Sequence, residues 1–184
     1  AIALKYASEG AAVVVADLLI EQANNVVEEI KKQGGVAIAL KANVADRADV
    51  ANMVKRTLEQ FKAVHILVNN AGITRHKPIV DLTDEDWNAV LDVNLKGAFY
   101  CTQAVLRHMM GQRYGKIINI SSRAGMRPSL GAAVNYGTSK AGVIQLTEYT
   151  ALEAGAYGIN ANSIAPGLVV TDMTYKHKDT EKFI

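Results

Sequence analysis

At 184 residues, 49% of them hydrophobic and with a formal net charge of only +2, the chain has the size and apolar content of one globular domain. Its charge is spread along the sequence, which argues against a nucleic-acid partner, and no apolar run approaches the roughly 20 residues that cross a bilayer. Cys101 is the only cysteine, so no internal disulfide can form, and His65, His76, His108 and His177 are scattered rather than set at metal-ligand spacings. The basic cluster from Lys176 to Lys178 sits in a polar tail and reads as a solvated end. Residues 1–10 lack the basic-then-apolar pattern of a signal peptide, so we expect a soluble cytoplasmic protein.

Ile2, Ala3, Tyr6 and Ala7 form a helical stripe that stops at Gly10. Residues 11–16 are a continuous small-apolar and β-branched run ending in Asp17, the pattern of a buried parallel strand with a carboxylate at its carboxyl end. Ile20, Ala23, Val26, Val27 and Ile30 trace one helix face, closed by Gly34 and Gly35, and a strand follows over 36–41. Val50, Met53, Val54, Leu58 and Phe61 mark a second amphipathic helix with Asp46 as N-cap, and a strand follows over 64–68. Thr83 with Asp86 resembles a capping box opening a helix near Trp87. A long helix over about 95–110 carries Phe99, Thr102, Leu106 and Met109 on one stripe. A strand over 116–120, a helix running to about Tyr157 and a strand over 159–165 complete the order. This alternation predicts a single domain over residues 1–184, an α/β fold with a doubly wound parallel sheet between helical layers.

In open α/β folds ligands bind where the strands deliver their carboxyl ends, so the residues just after each strand are the informative ones. They are Asp17, then Asn43-Val44, then Asn69-Asn70-Ala71-Gly72, then Ser121-Ser122, then Pro166-Gly167. Glycines and small residues let a flat ligand lie against backbone, while Asn and Ser offer directional hydrogen bonds. The sequence also carries the stretch N-Y-G-T-S-K, which sets Tyr136 and Lys140 four residues apart and on one face of a helix. A free phenol has a pKa of roughly 10; a neighbouring ammonium favours the phenolate, and a shift of about 3 units corresponds to roughly 4 kcal/mol. Singly, each feature has a plainer role. A serine pair can end a strand, Asn94 can cap a helix, and a tyrosine and a lysine can simply share a surface.

In combination, N-N-A-G, V-N-L-K-G-A-F, I-N-I-S-S-R-A-G, N-Y-G-T-S-K and A-P-G-L-V-V-T-D-M resemble the short-chain dehydrogenase/reductase family over essentially the whole chain. Within it, N-N-A-G-I-T-R and the general layout look most like the 3-oxoacyl-acyl-carrier-protein reductases. The resemblance implies a Rossmann-like fold, an NAD or NADP cofactor, and a small carbonyl or alcohol substrate, with an acyl-carrier-protein thioester as one case. It makes Tyr136 the general acid/base, Lys140 the residue that tunes it and holds the nicotinamide ribose, Ser122 the donor to the reacting oxygen, and Asn94 the anchor of a relay water. Ser122 is preferred to Ser121 because Gly125 follows it at the family spacing. The cofactor edge would comprise Asp17, Asn43, Val44, Asn70, Ala71, Gly72, Pro166, Gly167, Val169 and Thr171 together with Tyr136 and Lys140. Asp17 at the adenosine ribose would favour NAD over NADP, since a carboxylate repels a 2′-phosphate.

Two departures accompany the resemblance. The stretch between Gly125 and Tyr136 is one residue longer than in those reductases, and the glycine-rich turn that would cradle the pyrophosphate is not in the sequence. We expect the sequence to be truncated at both ends relative to the family. A homotetramer or homodimer packed through the helices of Asn94 and Tyr136 is the expected assembly. A sugar, steroid or hydroxy-acid dehydrogenase is the alternative activity, and a non-catalytic regulatory domain the alternative of another class.

Overall fold

The computed structural model describes residues 1–128 and 133–169; Thr171 and the Lys176 to Lys178 cluster lie outside them. Helix α1 (Ile2–Ser8) precedes strand β1 (Val13–Asp17), helix α2 (Ile20–Lys32) and strand β2 (Ala37–Lys41). Helix α3 (Arg47–Phe61) and strand β3 (Ile66–Asn69) follow. Helix α4 (Asp84–Leu91) continues through a π turn (Asp92–Lys96) into α5 (Gly97–Gln112), then come β4 (Gly115–Ile120), α6 (Val134–Ala154) and β5 (Ile159–Ile164). Each expected strand and helix is present within a few residues.

All strand pairs are parallel. Among the described residues they form two sheets, one of β1 and β2 and one with the order β3, β4, β5. Parallel strands alternating with helices are the Rossmann-like arrangement that the sequence led us to expect. The expected sheet is divided, however: among the described residues β1 and β3 share no neighbouring strand. The two parts meet where Val44, just after β2, packs on Gly97 at the start of α5; a Cβ built there would lie 2.8 Å from Val44 Cγ2.

Each part has its own core. Val27 and Ile30 of α2 close on Ala37 of β2, with Ala3, Leu4 and Ala7 of α1 alongside. The larger cluster joins Val54 of α3, Val105 and Met109 of α5, Ile117 of β4, Ala154 of α6 and Ile159 of β5. Met109, Ile117 and Ile159 are fully buried, each contributing roughly 1.5–3 kcal/mol of transfer free energy. Along β4, Gly115, Ile117 and Asn119 are buried while Lys116, Ile118 and Ile120 are half-exposed. The three-stranded part therefore packs most tightly on the side of α5 and α6.

Two expectations shift. The helices near Trp87 and Leu95 are one continuous helix over 84–112, interrupted only by the π turn. Its buried face past that turn is Ala98, Cys101, Thr102, Val105 and Met109, whereas Phe99 is 38% exposed. A close approach to the sheet selects small residues, and this turns Phe99 outward.

Asn69, Thr102, Asn119 and Thr147 are paired in a chain that fixes the carboxyl ends of β3 and β4. Asn69 Nδ2 donates to Asn119 Oδ1 (2.8 Å) and Thr102 Oγ1 (3.1 Å), and Asn119 Nδ2 donates to Thr147 Oγ1 of α6 (2.8 Å). Leaving such buried groups unpaired costs about 1–3 kcal/mol each.

Asp46 caps α3 as expected, its Oδ1 accepting from the N–H groups of Ala48 (2.7 Å) and Asp49 (3.0 Å). Asp46→Ala removes both bonds, and urea titration should show a loss of about 1 kcal/mol.

Candidate active site

Tyr136 and Lys140 lie one turn apart at the start of α6, with Lys140 Nζ 5.7 Å from the centroid of the Tyr136 ring. Lys140 is 4% exposed, and its Nζ donates to the Ile120 carbonyl at the end of β4 (2.6 Å). Burial lowers its pKa from 10.5 to about 8, which still leaves the ammonium mostly protonated at pH 7.

The turn after β4 is pressed directly on this helix. A Cβ at Gly125 would fall 2.6 Å from the carbonyl carbon of Lys140 and 2.7 Å from the Ala141 nitrogen, so only glycine allows the approach. Ser122 opens that turn, its Oγ accepting from Ala124 N–H (3.1 Å). The two serines differ. Ser121 is buried and donates to the Ile164 carbonyl (2.9 Å), whereas Ser122 is half-buried beside α6.

From the other side comes the segment after β3. A Cβ at Gly72 would lie 3.4 Å from both Lys140 Nζ and Asn94 Oδ1, so the backbone there runs against the lysine head. Asn94 sits in the π turn, a form that recurs at functional sites, and is 2% exposed. Its Oδ1 accepts from Ile73 N–H (2.8 Å), and its Nδ2 donates to the Ile73 carbonyl and to Ser139 Oγ (both 3.0 Å). Both amide hydrogens are thus held by protein, leaving an Oδ1 lone pair for a water.

Ser139 and Asn135 were missed as site residues by the sequence reading. Ser139 Oγ donates to the Tyr136 carbonyl (2.7 Å), and Asn135 is fully buried with all its amide groups bonded. Their only signal in sequence was position, within N-Y-G-T-S-K itself. Cys101 is buried in α5, and this burial pushes its thiol up to about 11.

The remaining edge residues fall where the strands end. Asp17 closes β1 opposite Lys41, and its Oδ1 accepts from Leu19 N–H (2.9 Å). Asn43 Oδ1 accepts from Ala45 N–H (3.1 Å), and Asn43 N–H donates to Asp49 Oδ2 (3.0 Å), tying this loop to α3. Asn70 and Ala71 are exposed beside Gly72. The Pro166 carbonyl accepts from Arg123 N–H (3.1 Å), joining the exit of β5 to the Ser122 turn, with Gly167 and Val169 following.

A description of the short chain dehydrogenase family matches residues 1–182. The chain belongs to that family. Among its relatives, a 3-oxoacyl-[acyl-carrier-protein] reductase of Synechocystis sp. is 49% identical over 152 residues, covering 83% of this chain and 61% of that protein. The 3-oxoacyl-[acyl-carrier-protein] reductase FabG of Staphylococcus aureus is 47% identical over 154 residues, covering 84% of this chain and 62% of that protein. The (2S)-[(R)-hydroxy(phenyl)methyl]succinyl-CoA dehydrogenase subunit BbsD of Thauera aromatica is 42% identical over 173 residues, covering 93% and 68%. This short-chain dehydrogenase thus spans about three fifths of the length of the two reductases. In structure it is similar to a Sinorhizobium meliloti protein provisionally described as a short-chain alcohol dehydrogenase. That likeness has a TM-score of 0.92 and 35% identity, covering 99% of this chain and 72% of the other. No helix of the described residues is long and apolar enough to cross a membrane.

The lysine head, the Gly72 backbone and the half-buried Ser122 suit the ribose and nicotinamide end of a dinucleotide. Because the folded state depresses the Lys140 pKa, its burial costs stability in full below about pH 8 and is relieved as pH rises towards 10.5. The stability difference between the parent and Lys140→Met, measured by urea titration across that window, should move towards the parent by on the order of 3 kcal/mol.

Proposed function

We propose that the protein interconverts a carbonyl and a secondary alcohol with NAD or NADP, and that its carbonyl substrate is a 3-oxoacyl thioester borne on acyl carrier protein. The observation that carries this reading is the convergence of Tyr136, Lys140, Ser122, Asn94 and the Gly72 backbone on the first turns of α6. The names of the Synechocystis and Staphylococcus relatives support the thioester substrate.

When bound, the nicotinamide supplies the hydride in reduction or takes it up in oxidation. Tyr136 gives its proton to the carbonyl oxygen as that oxygen gains charge, and recovers it from the alcohol in reverse. Ser122 donates a hydrogen bond to the same oxygen, where the charge develops. Lys140 holds the ribose and keeps a positive charge beside the phenol. Asn94 fixes Ile73 and Ser139 around them and offers its remaining lone pair to a water that refills the proton. At the far end, Asp17 would bond the adenosine ribose and favour NAD, and Asn43, Val44, Asn70, Ala71, Pro166, Gly167 and Val169 would hold the rest of the dinucleotide; Thr171, the remaining residue of that set, lies outside the described residues.

Cofactor absorbance followed with acetoacetyl thioesters, simple ketones and sugars should show reduction of the thioester, faster with NADH than with NADPH. Tyr136→Phe should lower kcat by at least about 100-fold with an unchanged circular dichroism spectrum. A Tyr136→Phe protein as fast as the parent would sink the mechanism, and preference for a sugar would favour the other dehydrogenase reading.

The same proposal includes self-association in the cytoplasm as a tetramer or dimer through α5 and α6, which expose Phe99 (38%), Tyr149 (58%) and Leu152 (79%). Light scattering should report more than one chain per particle, and Leu152→Glu should shift the distribution towards the monomer.

A further inference from the structure

Asn135 precedes Tyr136 and is fully buried, and it bonds to three separate parts of the chain. Its Nδ2 donates to the Arg75 carbonyl (3.2 Å), in the loop after β3, and to the Asp86 carbonyl (3.1 Å), in the first turn of α4. Its Oδ1 accepts from Tyr136 N–H (2.8 Å), one of the N–H groups at a helix start that has no partner within the helix. The residue before α6, Ala133, offers no side-chain cap. The amide of Asn135 therefore does what a cap would do and joins the result to two distant segments.

We propose that Asn135 is a positioning residue that sets Tyr136 against the loop over 73–77, and so against the substrate which that loop borders. The inference rests on the carbonyl–alcohol reading above. Asn94 already grips this loop by both backbone groups of Ile73, so Asn135 holds it two residues further on. Beyond that point Lys77 pairs with the Asp86 carboxylate (2.6 Å), whose Oδ2 also accepts from the Thr83 hydroxyl (2.8 Å). Asp86 is thus bonded by the loop through its carboxylate and by α6 through its carbonyl. Asn135 alone among these groups touches the loop, α4 and the tyrosine turn together. The task suits asparagine chemically, because it needs two donors and one acceptor in one short plane. Aspartate of the same length has no donor, serine has one, and alanine none.

Steady-state kinetics on an acetoacetyl thioester should be compared for the parent, Asn135→Asp, Asn135→Ser and Asn135→Ala, each held well below its own unfolding midpoint. A small misplacement of a reacting group costs on the order of 100-fold, so kcat should fall by about that factor in every variant that folds. The dissociation constant of the nucleotide, read by fluorescence, should stay within about threefold, because the lysine and the strand ends are untouched. Hydrogen exchange supplies a readout that needs no turnover. The Tyr136 amide should stay protected in Asn135→Asp, which keeps the acceptor, and lose protection in Asn135→Ala. The Ile73 amide should exchange faster in both, as the loop is released. Folded variants that keep kcat within threefold of the parent, or leave Ile73 exchange unchanged, would overturn the proposal; if Asn135→Ala does not fold, Asn135→Ser and Asn135→Asp decide it. A parent that reduces no carbonyl while the exchange pattern holds would refute the reaction and leave the latch standing.

Discussion

A buried ammonium needs an oxygen, and Lys140 finds the one at the end of β4. The bond to the Ile120 carbonyl draws the lysine head under the sheet edge, and everything around it must come close enough to exclude water. Gly125 permits this from the side of the Ser122 turn and Gly72 from the side of the β3 loop. A larger residue at Gly125 would push its segment away from α6, whereas a Cβ at Gly72 would only come into contact with the lysine head. Burial costs the lysine part of its basicity and in exchange places a charge of known position one turn from the phenol of Tyr136.

The scaffold supplies the rest by delivering strand ends. The carboxyl ends of β3 and β4 lead into Gly72 and the Ser122 turn and bring both to one rim at the start of α6, although they are about fifty residues apart, while the β1–β2 pair ends in Asp17 and leads into Asn43. The rim is held in register by polar bonds running from Asn69 through Asn119 to Thr147 and from Ser163 through Ser121 to Ile164. Apolar packing alone would leave the strands freer to slide, since methyl groups impose no direction. Directional bonds near the edge keep the site's backbone in one place, while the apolar cluster around Met109 and Ile117 provides the bulk of the burial.

Much of this was legible before any coordinates. Strand and helix patterns located the strands and the α-helices within a few residues, because burial on one face imposes its repeat on the sequence, and Asp46 and Thr83 announced their helices through local capping chemistry. Less legible was the run over 84–112. A π turn changes no residue type, so nothing in V-N-L-K announced that two expected helices would be one, or that Phe99 would face outward while Ala98 faced the sheet. The Asp86 carboxylate likewise looked like half of a capping box. It does bond the Thr83 hydroxyl, and the fold adds Lys77, whose hydrogen bond, ahead of that of Thr83, holds its pKa below the usual carboxylate value.

The sequence by itself determined the alternation of strands and helices, the family, and the four-residue step from Tyr136 to Lys140, since each is a property of short-range order or of recognisable motifs. Only the tertiary structure decided which carbonyl the lysine meets, which serine is committed to the neighbouring strand, and that Asn135 binds Arg75 and Asp86. Those contacts join residues 20 to 60 positions apart. Such pairings leave no period along the chain, because they arise from where the backbone passes rather than from which side chains stand in a row.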